Sequence, residues 1–132
     1  MATDNLQIAT SRAARGQTIL ALNGPLNIHT VFKFQEALRA EVSPAVIVDF
    51  SAVPYIDSAG LGALVAAFVS TRKGDRKIAF AAMNKQAKAL IEMTHVSQLF
   101  RTYDTVEDAE AAIPRSLRLV PPRPAQPEWF RA

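Results

Sequence analysis

The stretch from Val46 to Phe68, VIVDFSAVPYIDSAGLGALVAAF, decides how the chain folds. Pro44 and Ala45 lead into Val46, Ile47 and Val48, a β-branched run without polar alternation. A strand with one wet face alternates apolar and polar residues, so this run predicts a central strand covered on both faces. Asp49 to Asp57, with Pro54 inside it, reads as a connecting loop. Beyond it Leu61, Leu64, Val65, Phe68 and Val69 mark one face of a helix that ends near Arg72, followed by a turn at Gly74 and Asp75.

At the junction of loop and helix, Asp57, Ser58, Ala59, Gly60, Leu61 and Gly62 place a carboxylate and a hydroxyl side by side. Either side chain can act as N-cap, accepting from a free backbone N–H of the first turn. Glycine inside a helix costs roughly 1 kcal/mol relative to alanine, so Gly60 and Gly62 need another reason to be there. Close approach of a second backbone is such a reason, and it can come from the chain's own sheet or from a partner lying over the helix start.

Working outward, Leu6 to Ser11 and Gln17 to Leu22 read as two short strands around a turn with Arg12, Arg15 and Gly16, an antiparallel hairpin. Gly24 and Pro25 stop the second strand, and Val31, Phe34 and Leu38 predict an amphipathic helix from Thr30 to about Ala40. Downstream, Lys77 to Ala82 reads as a buried strand, and Lys85 to Thr94 as a helix with Leu90 and Ile91 inward. Val96, Leu99 and Phe100 form an apolar patch before a short edge strand at Arg101 to Tyr103. Val106, Ala109 and Ile113 define a last helix, whose opening carboxylates Asp104, Glu107 and Asp108 suit the helix dipole. This order predicts an α/β fold: a single domain over residues 1–113 with a mixed sheet of four to five strands and about four helices. Residues 114–132 form a tail in which Pro121, Pro122, Pro124 and Pro127 favour extended geometry. Its adjacent Trp129 and Phe130 are suited to a groove, either on a neighbouring subunit, making a homodimer, or on the chain's own surface.

Composition narrows the function. The 132 residues are 49% apolar and 20% charged, enough to bury one core and too apolar for a disordered chain. Of the 15 Lys and Arg, Arg115, Arg118, Arg123 and Arg131 lie in the tail, as does Glu128 among the 12 Asp and Glu; the rest, eleven of each, leave the body neutral. Nucleic-acid binding needs a basic face on the folded body, and the body offers only the turn Arg72, Lys73, Arg76 and Lys77, read as a solvated loop interrupted by Asp75. There is no cysteine, hence no disulfide and no thiolate or zinc chemistry through sulfur. Met1 to Arg12 lacks the basic start and apolar run of a signal peptide, and Leu61 to Val69 falls far short of the roughly 20 residues that span a bilayer, so a cytoplasmic location is expected. A hydrolytic Ser58 would need a base, and the two histidines, His29 and His95, flank helices as surface or capping residues. No GxSxG, HExxH or Walker loop occurs; no enzyme, cofactor or metal is expected.

With these residues in view, Val46 to Phe68 resembles the signature of STAS domains of the anti-sigma factor antagonist kind: a hydrophobic strand, an aspartate, a short loop, then Asp-Ser-[Ser/Ala/Thr]-Gly-Leu opening a helix. Asp49, Asp57, Ser58, Gly60 and Leu61 fall in register. A weaker similarity spans about Leu6 to Ile113, with Leu22 to Asn27 where the family often has Gly-Glu-[Leu/Ile]-Asp. Pro25 and Asn27 replace the acidic residues of that turn, and Ala59 replaces the frequent second serine. The resemblance implies that Ser58 is phosphorylated by a serine-kinase anti-sigma factor and restored by a serine phosphatase, and that the unphosphorylated form binds the kinase and frees a sigma factor. It places the partner surface on Asn23, Gly24, Asn27, Asp57, Ser58, Ala59, Gly60, Leu61 and Gly62. Similar domains also serve as scaffolds of stress-sensing complexes or regulatory parts of transport systems, which is the alternative.

Overall fold

A computed structural model describes residues 5–73, 76–94 and 100–113. Strands β1 (Gln7–Arg12) and β2 (Thr18–Asn23) form the expected antiparallel hairpin, with Gln7 opposite Asn23 and Arg12 opposite Thr18. There follow α1 (Val31–Ala40), β3 (Ala45–Ala52), α2 (Ser58–Lys73), β4 (Lys77–Ala81), α3 (Lys85–Met93), β5 (Thr102–Tyr103) and α4 (Val106–Ala112). The sheet order is β1-β2-β3-β4-β5, and β3 pairs in parallel with β2 and β4, as β5 does with β4. The expected α/β fold with a mixed sheet is therefore present, with the Val46 to Val48 run in the middle.

Burial on both faces explains that run. Val46, Val48 and Phe50 point into the larger core under α1, α2 and α3, while Ala45 and Ile47 meet Ala109 and Ile113 beneath α4. Phe50, Phe80 and Phe100 stack edge to face with centroids 5.9 and 5.3 Å apart, the arrangement aromatic quadrupoles favour.

Three expectations need correction. Asp49 to Ala52 is strand, not loop: Asp49 pairs with Ala21 and Ala81, Ala52 pairs with Asn23, and the half-buried Asp49 side chain accepts from Ser51 N–H at 2.9 Å. The buried stripe of α2 is Gly60, Leu61, Ala63, Leu64, Ala67 and Thr71, whereas Val65 and Phe68 are half-buried and Val69 is exposed. Ala63 and Ala67 face Phe34 and Leu38 of α1 across a shallow groove, so small residues set the stripe by letting the helices approach. Arg76 belongs to no solvated loop: its guanidinium donates to Ser43 O and Glu41 O, both at 2.9 Å, tying the start of β4 to the segment after α1.

Gly74, Asp75, His95, Val96, Leu99 and the tail, with its docking and homodimer reading, lie outside the described residues.

Candidate functional site

The site forms where three segments converge beyond the ends of β2 and β3. Past β2 the chain turns at Gly24, whose φ of 127° is a left-handed conformation that side chains resist. A Cβ there would also collide with the Asn5 backbone. Leu26 then pairs in parallel with Ile56: Leu26 N–H donates to Tyr55 O at 3.1 Å and Asp57 N–H to Leu26 O at 3.2 Å. This short pairing fixes the backbone immediately before α2.

Asp57 is the cap and Ser58 is not. The Asp57 Oδ1 accepts from Gly60 N–H at 2.8 Å, while Leu61 N–H donates to Asp57 O at 2.9 Å, opening the helix. Its Oδ2 accepts from Ile28 N–H at 3.3 Å, tying the approach to α1 onto the start of α2. Ser58, the first helical residue, is exposed and its hydroxyl has no hydrogen-bond partner among the described residues. The carboxylate is thus occupied structurally and the hydroxyl is left over.

The glycines separate in the same way. A Cβ on Gly60 would overlap the Leu26 carbonyl oxygen and lie 2.7 Å from Ile56 Cγ2, so this glycine serves the chain's own packing. Gly62 is exposed and a Cβ there would meet nothing within 4 Å.

Among the other expected site residues, Asn23 is exposed, Gly24 and Ala59 are intermediate, and Gly60 and Leu61 are buried. Asn27 is only 3% exposed and braces the turn. Its Nδ2 donates to the Tyr55 hydroxyl at 3.0 Å, and its Oδ1 accepts from His29 N–H at 2.9 Å. Thr30 Oγ1 accepts from Asn27 N–H and donates to Pro25 O, both at 2.9 Å. Asn27, Gly60 and Leu61 therefore shape the expected surface from beneath it. Sequence reasoning missed Ile28 and Phe32, which are 63% and 72% exposed beside Asp57 and one turn further on. Their i, i+4 spacing, out of phase with Val31, Phe34 and Leu38, was the available signal. Tyr55, 41% exposed, adds a third apolar surface beside the turn.

His29 is exposed, and no hydrogen bond joins its ring to Ser58 among the described residues. Nor, among them, is there a group of three His, Asp or Glu side chains placed to hold a metal ion, or a helix long and apolar enough to cross a membrane.

Among the described residues, a mixed sheet, four helices and an exposed serine after a capping aspartate make a small α/β domain. The STAS domain family model matches residues 8–109, and the chain belongs to that family. It is similar to the crystal structure of an anti-sigma factor antagonist from Mycobacterium paratuberculosis, at 25% identity and a TM-score of 0.75, over 83% of this chain and 95% of that one. It shares its fold with the Bacillus cell fate determinant SpoIIAA in the phosphorylated form, at 14% identity and a TM-score of 0.61, over 80% and 98% of the two chains. A sulfate transporter family protein from Wolinella succinogenes has the same fold, at 18% identity and a TM-score of 0.67, over 83% and 91%.

Proposed function

We propose that this chain is a non-catalytic, cytoplasmic anti-sigma factor antagonist that binds a serine-kinase anti-sigma factor and is released by phosphorylation of Ser58. The observation that carries the reading is the exposed Ser58 hydroxyl at the first position of α2, beside an aspartate already committed to the cap. A serine phosphatase acting on Ser58 resets the switch.

The physical chemistry of the position supports it. A phosphate adds about −1.5 to −2 charge, and a helix start tolerates an anion, with a local effect of about 0.3 to 1 kcal/mol. The domain therefore stays folded when modified. Burying that anion against a partner, next to the Asp57 carboxylate, incurs repulsion and desolvation. Since 1.4 kcal/mol is tenfold in affinity, a penalty of about 3 kcal/mol suffices for release. The contact face runs over Ser58, Ala59 and Gly62, the Asn23–Gly24 turn, and the exposed Ile28 and Phe32, which supply apolar surface to an otherwise polar patch.

The test is incubation with candidate serine kinases and ATP, followed by intact mass. Wild type is expected to gain one phosphate and Ser58→Ala none. An alanine variant modified at the wild-type rate would rule out Ser58. A scaffold or transport-regulator role would instead leave the wild-type mass unchanged.

A further inference from the structure

The backbone before Ser58 is held from a third side. At Ile56, N–H donates to Gln86 Oε1 at 3.0 Å, and C=O accepts from Gln86 Nε2 at 2.9 Å. One side chain thus satisfies both backbone groups of one residue, as a neighbouring strand would. On the opposite edge, Tyr55 O and Asp57 N–H bond to Leu26. The strip from Tyr55 to Asp57 is therefore the middle of a miniature three-stranded arrangement in which Gln86 stands in for the third strand.

The support comes from the start of α3. Asn84 caps that helix, its Oδ1 accepting from Ala87 N–H at 2.9 Å, while its Nδ2 donates to Val53 O at 3.3 Å and Pro54 O at 3.0 Å. The cap orients Gln86 toward the strip, and the Asn84 amide holds the strip's beginning. Gln86 is itself exposed, so removing its amide opens no cavity in the core.

We infer that Gln86 is a positioning residue of the Ser58 site, fixing Ile56 and through it the Asp57 cap and the direction of Ser58. The inference rests on the proposed function for its consequence, though not for its geometry. Without Gln86 only a fraction of molecules hold the strip in place, and apparent partner affinity falls by that fraction. At saturation the partner restores the arrangement, so the loss enters KM for phosphorylation and leaves kcat alone.

The experiment compares Gln86→Ala, the isosteric Gln86→Glu, and Lys88→Ala, an exposed control on the same helix whose 3.4 Å pair with Asp104 lies away from the strip. Amide hydrogen exchange needs no kinase. Both Gln86 variants are expected to speed exchange at Ile56, and at Gly60, whose N–H reports the Asp57 cap, by about tenfold or more, with Lys88→Ala unchanged. With the kinase that modifies Ser58, both are expected to raise KM by about tenfold at constant kcat. Unchanged exchange at Gly60 in both variants overturns the inference, as does wild-type behaviour of Gln86→Glu, which would mean that bulk rather than pairing matters. Faster exchange in a protein that no kinase modifies upholds the positioning role and defeats the proposed function instead. Faster exchange with unaltered KM confines Gln86 to local stability and also overturns it.

Discussion

The two ends of α2 carry similar raw material and use it differently. At its end, Thr71 Oγ1 donates back to Ala67 O and Phe68 O at 3.0 and 3.1 Å, and the Arg72 guanidinium lies 5.6 Å from the Phe68 ring centroid. Arg76 is consumed by two backbone carbonyls, and Arg72 and Lys73 sit where the helix dipole favours cations. At its start, Asp57 and Gly60 are consumed in the same manner, but Ser58, Gly62, Ile28 and Phe32 are not. A contact surface is recognised by what the fold leaves over. The charged end carries more formal charge, and the quieter start is the one with unused groups.

The sharpest way to break this contrast is at Gly60. Gly60→Leu drives a side chain into the Leu26 carbonyl and Ile56, and overpacking of this kind costs about 1 to 3 kcal/mol or more, read as a drop in the midpoint of denaturant unfolding. A variant as stable as wild type would mean that the helix start yields easily. Ser58→Asp acts on binding rather than on stability: partner affinity should fall by about 3 kcal/mol, or roughly 100-fold, with the circular dichroism spectrum and melting temperature nearly unchanged. An unchanged dissociation constant would remove the electrostatic switch, and a melted domain would make Ser58 structural. Gly62→Leu, two positions from Gly60, should leave the fold intact and weaken the partner about tenfold by bulk alone. Lys73→Ala marks the other end and should change stability and binding by no more than about 0.5 kcal/mol. Normal binding by Gly62→Leu with failure of Lys73→Ala would move the interface to the far end of α2.

Much of this architecture was readable before folding. Period 3.6 placed the helices found among the described residues and the unbroken β-branched run placed the central strand, because such patterns are set by local geometry and by burial, while the end of that strand past Asp49 was missed. The junction at Asp57 and Ser58 was readable as well, since a hydroxyl and a carboxylate before two glycines announce a helix start. Which of them caps was not, because the choice depends on Leu26 and Ile28, about 30 residues upstream. The same holds for Gly60 against Gly62: identical in sequence terms, they differ only in what lies opposite. Asp49 was misread as the beginning of a loop because charge usually ends a buried strand, yet half-burial and a local bond to Ser51 N–H let it stay within β3. Gln86 carried no signal, since a glutamine on an exposed helix start announces nothing until its backbone partner is known.

The strip before Ser58 is stitched to Leu26 on one side and Gln86 on the other, with about 30 residues of chain separating each partner from it. A polypeptide emerging from the ribosome releases Ser58 well before Asn84 and Gln86, so a nascent chain carries the serine without the frame that presents it. A partner that reads the framed serine therefore binds incomplete and misfolded copies less tightly. Under the proposed function, finished molecules dominate the count by which such a switch titrates its target.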